Sequence, residues 1–409
     1  MRRTASPAAL AALLLAGQAR AADVPITYGQ AIARAAGAAP DVAVARAREG
    51  VARAEVSVAG VLPNPSVNAG SSTEAAKLSL GVSVPLVVLG QRAAAMDAGR
   101  ADLTAVRIAT EVTLADVRAA AAHAFVALWR AQGLSAERAR EASVARRLDE
   151  AVSGRVELGA AASVDGLRAH AARLRADAEA LEAAQLVVAA ASDLGRWLGV
   201  EDGASLRPEG DPAVPREPPS LADLRAAIEA GPVVRKERAE VAAGLAHAAA
   251  ERAFVRPTLT VDLGLDAWDP TLCPTPGCTN PPVNYRGLVG VEVPILNQRG
   301  PYVERARASA AAASIRADAE RVHLASSLAT AYRTFEAWTE GARVLGASVV
   351  AAADAAAAAT EESYSLGRAP LVAVLEAEKA RIDARLALLD ARAQQAEAWI
   401  EVEHAIGAR

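Results

Sequence analysis

The feature that most limits what this chain can fold into is a long internal duplication. Gly81-Val-Ser-Val84-Pro85 returns as Gly290-Val-Glu-Val293-Pro294, offset by 209 from Pro85 to Pro294. Leu158-Gly159 returns as Leu366-Gly367, and Gly199 as Gly407, each offset by 208. In both halves, 40 residues separate the first of these glycines from the second. A period near half of a 409-residue chain far exceeds the roughly 20–50 residues of solenoid repeats. It implies two copies of one large unit, packed about a pseudo-twofold axis.

Within each copy the hydrophobic period changes twice. Residues 27–60 carry a helical pattern that Pro63 and Pro65 stop, because proline lacks the amide donor and restricts its predecessor. Then Leu78, Leu80, Val82 and Val84 alternate with Ser79, Gly81 and Ser83, the period of a strand with one apolar and one small polar face. Ser66 to Ser71 alternates more weakly, and Ser72-Thr-Glu-Ala75 reads as the hairpin tip. In the second copy Leu259, Val261, Leu263 and Leu265 alternate with Thr260, Asp262 and Gly264, and Val289, Val291 and Val293 with Leu288, Gly290 and Glu292.

Each hairpin leads into a helical tract, from Gln91 to about Val156 and from about Tyr302 to Leu366. At 1.5 Å per residue such a tract spans roughly 100 Å. Gly159 and Gly367 turn each tract into a returning helix. In the last one Ile382, Leu386, Leu389, Ala393, Ala396 and Ile400 keep a coiled-coil spacing. The expected organisation is a signal peptide over 1–21 and a first repeat over 22–206, with a hairpin at 64–85 and long helices at 91–199. A proline-rich connector at 207–220 follows. A second repeat then covers 221–409, with a hairpin at 257–294 and long helices at 301–407.

Composition agrees with long helices and narrow seams. The chain is 52% hydrophobic but only 3% aromatic, with alanine making up the difference. A net charge of −4 gives no reason to expect a nucleic-acid partner. Arg2 and Arg3, an apolar run from Ala8 to Gly17 and Ala19-Arg20-Ala21 form an export signal, with cleavage expected after Ala21 or Ala22. No later stretch reaches about 18 uninterrupted apolar residues, so no transmembrane helix is expected. Cys273 and Cys278 lie in a proline-rich loop and read as a local disulfide of an exported protein. Two thiols with no neighbouring histidine do not complete a metal site.

Strands of about nine residues suit a tilted membrane crossing, yet four strands leave two edges unpaired in lipid. Only a closed barrel satisfies every backbone group there. Either the sheet is soluble, or several chains pool their strands. The export signal and helices with no globular body to pack on favour pooling, with Asp262 and Glu292 as candidate lumen charges. A charge on a lipid face would be costly.

In this order, twice over, the motifs resemble the TolC family of outer-membrane efflux channels. The resemblance rests on Asn64-Pro65, Val84-Pro-Leu86 with Gly90-Gln-Arg92, and Val293-Pro-Ile-Leu-Asn-Gln-Arg-Gly300. It also rests on Leu158-Gly-Ala-Ala-Ala-Ser-Val-Asp165 and Tyr364-Ser-Leu-Gly367 leading into Val374-Leu-Glu376. Asn297-Gln-Arg-Gly300 is similar to the branch that includes CzcC-type metal-cation efflux channels. The resemblance implies a mainly α fold with a small membrane β-barrel portion. In it, a homotrimer shares a 12-stranded barrel above a periplasmic α-barrel, in the outer membrane of a Gram-negative bacterium. It implies a periplasmic adaptor and an inner-membrane RND pump as partners, no cofactor and no enzymatic activity.

By the same resemblance, Leu158, Gly159, Leu366, Gly367 and Arg368 form a tip that contacts the adaptor. Glu376 and Asp165 sit at the periplasmic aperture, although Ala373 occupies a usually acidic place. The five histidines stand singly and read as helix-surface or seam residues rather than metal ligands. No catalytic cluster is present. The rival readings are the exit duct of a type I protein secretion system and a secreted coiled-coil scaffold without a pore.

Overall fold

The computed structural model describes residues 24–71, 77–201, 203–267 and 283–408. The export signal, the hairpin tip at 72–75 and the expected Cys273–Cys278 disulfide lie outside the described residues. Along the chain come β1 (Val24–Thr27), α1 (Tyr28–Ala38), α2 (Pro40–Ala59), β2 (Ser66–Gly70), β3 (Leu78–Leu86), α3 (Gln91–Glu157) and α4 (Ser163–Leu198). After a short 3-10 turn follow β4 (Leu206–Glu209), α5 (Leu221–Ile228), α6 (Pro232–Ala253), β5 (Thr258–Ala267) and β6 (Val283–Glu292). The chain closes with α7 (Gly300–Val344), a π-helical stretch at Leu345–Val350, α8 (Ala351–Ser365) and α9 (Leu371–Ile406). The fold is mainly α with a small sheet.

The first helical tract is not one helix. Pro40 starts α2, and Ala39 before it is extended at φ −62° and ψ 132°, as a residue preceding proline prefers. α1 begins at a capping box. Gln30 N–H donates to Thr27 Oγ1 at 3.3 Å, and Thr27 N–H donates to Gln30 Oε1 at 3.0 Å. The connector also does more than span a gap, because β4 pairs in parallel with β1, Val24 opposite Leu206 through Thr27 opposite Glu209.

Two compact units form, each drawing on both halves of the sequence. One takes residues up to Val42, Leu114–Leu224 and Ser326 onward; the other takes Ala43–Thr113 and Arg225–Ala325. The core of the first centres on Phe125, Leu128, Leu194 and Leu198, all at most 1% exposed. Tyr28 meets Phe125 edge to face at 5.5 Å. Around them Ala121, Ala191 and Ala393 are fully buried, so small side chains let helices approach closely. On α9 the coiled-coil positions Ile382, Ala393, Ala396 and Ile400 are buried. In the second unit a Cβ added to Gly244 on α6 would lie 2.9 Å from Ala310 Cβ on α7. Only glycine admits that approach.

The second unit holds a four-stranded antiparallel sheet in the order β2-β3-β5-β6. Val82 stands opposite Val67 on one side and Leu263 on the other, and Val261 stands opposite Val84 and Val289. Directly opposed residues share a face, so the register collects valines and leucines on one side. Two helical stretches, Gln91–Glu157 and Gly300–Ser365, hold 18-residue windows apolar enough for a membrane by composition, with mean hydropathy 1.3 and 1.4. Alanine, as in the run Ala351–Thr360, supplies much of that value while offering little apolar area.

Candidate functional site

Four glycines carry the duplication because four helices end in the same way. Gly159, Gly199, Gly367 and Gly407 have φ between 64° and 72°. At the first, Gly159 N–H donates to Val156 O at 3.0 Å and Ala160 N–H to Arg155 O at 2.7 Å. At the third, Gly367 N–H donates to Tyr364 O at 2.9 Å and Arg368 N–H to Ser363 O at 2.8 Å. Each pair is a Schellman closure, which satisfies the last carbonyls of a helix and needs a left-handed residue. The chain therefore reverses from α3 into α4, and from α8 into α9, at fixed glycines.

These two reversals lie side by side. Val152 of α3, Ala169 of α4 and Leu371 of α9 bury one another, with Val156, Tyr364 and Leu375 packed around them. The Arg155 guanidinium sits 5.2 Å from the centre of the Tyr364 ring. Leu158 and Leu366 remain exposed, at 85% and 59%, and Arg368 is exposed beside them. Asp165 opens α4, where a carboxylate complements the helix dipole, and its Oδ1 lies 3.6 Å from Arg168. Glu376 is exposed on the second turn of α9. Among the described residues no hydrogen bond or ion pair joins Asp165 to Glu376.

Two residues beyond Glu376 stands a carboxylate that the sequence reading missed. Glu378 is 7% exposed and is paired with Arg381. Burial pushes its pKa up, opposed by Arg381 and assisted by Glu361. It lines a groove of about 220 Å³ with Glu141, Leu148, Glu179, Leu375 and Ile382. A second missed feature is an ionic ladder between α3 and α9. Asp116, His123, Arg130 and Glu137 stand seven apart on α3. They meet His404 at 2.9 Å, Glu401 at 2.9 Å, Asp390 at 2.6 Å and Arg385 at 3.7 Å on the antiparallel α9. The heptad spacing of charge on α3 was its signal. The hydrogen bond to Asp116 raises the His404 pKa, against burial. His170 and His247 also reach carboxylates, Asp149 at 3.3 Å and Asp102 at 2.8 Å.

On the sheet, Asp262 stands opposite Ser83 and Leu288, and Glu292 opposite Thr258. Both share the face of Ser79, Gly81, Thr260 and Asp266, away from the valine and leucine face. Arg286, opposite Gly264, reaches Asp266 at 3.6 Å across the same polar surface. Among the described residues, the edge strands β2 and β6 each pair on one side only.

Residues 224–408 match the family model described as Outer membrane efflux protein. Over 402 residues the chain is 25% identical to the Cobalt-zinc-cadmium resistance protein CzcC of Cupriavidus metallidurans, spanning 95% of this chain and 91% of that one. It is similar in fold to the outer membrane protein VceC of Vibrio cholerae, with TM-score 0.73, 17% identity, and 93% and 96% of the two chains covered. It is also similar to the CmeC outer membrane channel of Campylobacter jejuni, with TM-score 0.74, 12% identity, and 93% and 85% covered.

Proposed function

We propose that this chain, which matches the outer membrane efflux protein model over residues 224–408, is the passive exit duct of a tripartite efflux system. Its cargo in this reading is small solutes, with divalent metal cations first in line. The observation that carries the duct is the sheet, with one apolar face, one polar face and two bare edges. In lipid those edges need partners. Three copies supply them by pairing β6 of one subunit with β2 of the next, which makes a 12-stranded wall. The polar face with Asp262 and Glu292 then lines water, and the valine and leucine face meets hydrocarbon.

A periplasmic adaptor and an inner-membrane RND pump deliver the solute in this reading. The adaptor meets the two helix reversals, where Leu158, Leu366 and Arg368 are exposed beside the turn glycines. Around a threefold axis, Glu376 and Asp165 place carboxylates at the aperture, where like charges gathered together draw in cations. The metal assignment leans on the name of the Cupriavidus relative. The domain boundaries proposed from the duplication treat each half as one subunit-like repeat.

Planar-bilayer recording of the purified chain tests the duct. Discrete conductance with cation preference is expected, and Glu376→Gln should reduce that preference. Unchanged selectivity would remove Glu376 from the aperture, and absence of any conductance would sink the channel. A deletion strain sensitised to cobalt, zinc or cadmium ions, and not to organic drugs, supports the cargo; the reverse pattern overturns it.

A further inference from the structure

Each of the four passages between helix and sheet exposes a large apolar side chain. Val61 precedes β2, Val88 follows β3, Phe254 precedes β5 and Leu296 follows β6, and they are 69%, 62%, 43% and 99% exposed. A soluble surface rarely gathers such residues at every crossing of one boundary. Guanidinium groups are bound to the backbone next to two of them. Arg92 Nε donates to Gly60 O at 2.6 Å, and Arg256 Nη1 donates to Leu89 O at 2.7 Å. A Cβ at Gly90 would lie 2.5 Å from that Arg256 nitrogen, so the glycine makes room for the arginine.

Arg299 lies 5.0 Å from the Phe254 ring and 4.8 Å from the Tyr302 ring, and Arg305 lies 5.7 Å from Tyr302. Glu251 is engaged by Arg299 at 2.6 Å, and Glu292 lies on the polar face of the sheet. A guanidinium carries five N–H donors, so one backbone bond orients Arg92 and Arg256 without exhausting them.

The geometry points to a collar for anionic phospholipid head groups. The apolar residues continue the valine and leucine face of the sheet into the acyl region. Arg92, Arg256 and Arg305 meet phosphate at the membrane surface. Aromatic and arginine side chains suit this boundary because one end is apolar and the other wet or charged. A basic group near an anionic surface strengthens binding about fivefold. The inference rests on the sheet being the membrane wall.

Full-length chain incorporated into nanodiscs of mixed phosphatidylglycerol and phosphatidylethanolamine tests it. Lipid retained through detergent extraction is identified by mass spectrometry. Retained phosphatidylglycerol is expected to exceed its bulk share about fivefold or more. Arg305→Gln, whose side chain is exposed, should lower that enrichment, and Arg256→Gln with Arg305→Gln should abolish it while the chain still inserts. As a second reading, the added emission of Leu296→Trp should be quenched by brominated lipid. Insertion without head-group preference, enrichment that survives the double variant, or unquenched added emission from the Leu296→Trp variant in an inserted chain would overturn the collar. Failure to enter the nanodisc at all would instead overturn the membrane wall.

Discussion

Replacing Gly367 by alanine isolates the cost of the left-handed reversal. Gly367 has φ 72°, and a methyl group built on it meets no atom within 4 Å. Packing therefore contributes nothing, and the backbone alone sets the effect. A left-handed L-residue costs roughly 1–2 kcal/mol, and the stiffer unfolded chain offsets about 0.4–1 kcal/mol of it. The net loss is about 1 kcal/mol, felt in the last turn of α8. Gly159, at φ 69° in equally open space, predicts the same at the end of α3. At Gly199 the new carbon would sit 3.4 Å from Ala38 O, an ordinary contact, so that variant should lose about as much. Hydrogen-exchange mass spectrometry reads this locally, at the Ala160 and Arg368 amides that close the two turns. Their exchange should quicken about fivefold in the alanine variants. Asparagine tolerates the left-handed region, so Gly367→Asn should change exchange far less. Equal acceleration by alanine and asparagine, or none by alanine, would refute the backbone account.

Gly244→Ala should push α6 from α7, because its Cβ would meet Ala310 backbone and side chain at 2.9–3.0 Å. Overpacking of this kind costs about 1–3 kcal/mol, visible as a lower unfolding temperature in detergent. The His404–Asp116 pair predicts a pH dependence. With the folded pKa of His404 raised by Asp116, the pair stabilises fully below the unfolded histidine value and fades as pH rises through the folded one. Asp116→Asn should therefore lower the melting temperature at about pH 5.5 and leave it unchanged near pH 8.5. A difference of the same size at both values would show that the pair acts by packing rather than charge. Because the imidazole is partly exposed, the effect should stay within about 1 kcal/mol.

Much of the architecture was legible because its signals are local. Alternation along Leu78–Val84 and Leu259–Leu265 fixed which side chains share a face of the sheet, since successive residues of a strand point to opposite sides. Glycines at 159, 199, 367 and 407 marked helix ends, because the left-handed closure favours a residue without a Cβ. Pro40 carried its own signal as well, and a helix drawn straight through it over 27–60 ignored a steric rule.

Other features depend on which element meets which, and no local period encodes that. Asp116, His123, Arg130 and Glu137 show a heptad spacing, yet their rungs exist only because α9 runs antiparallel at a register that brings His404 and Asp390 opposite them. Glu378 becomes a buried carboxylate only when α3 and α4 cover it, and Arg256 becomes a clamp only when Leu89 arrives beside it. By itself the sequence determined the four strands of the larger sheet, their two faces and the points where helices turn, because those follow from chain geometry and sterics. Tertiary structure alone decided the order β2-β3-β5-β6, the pairing of β1 with β4 and the ionic rungs. Those are contacts between residues far apart in sequence, chosen by packing rather than by any residue's own preference.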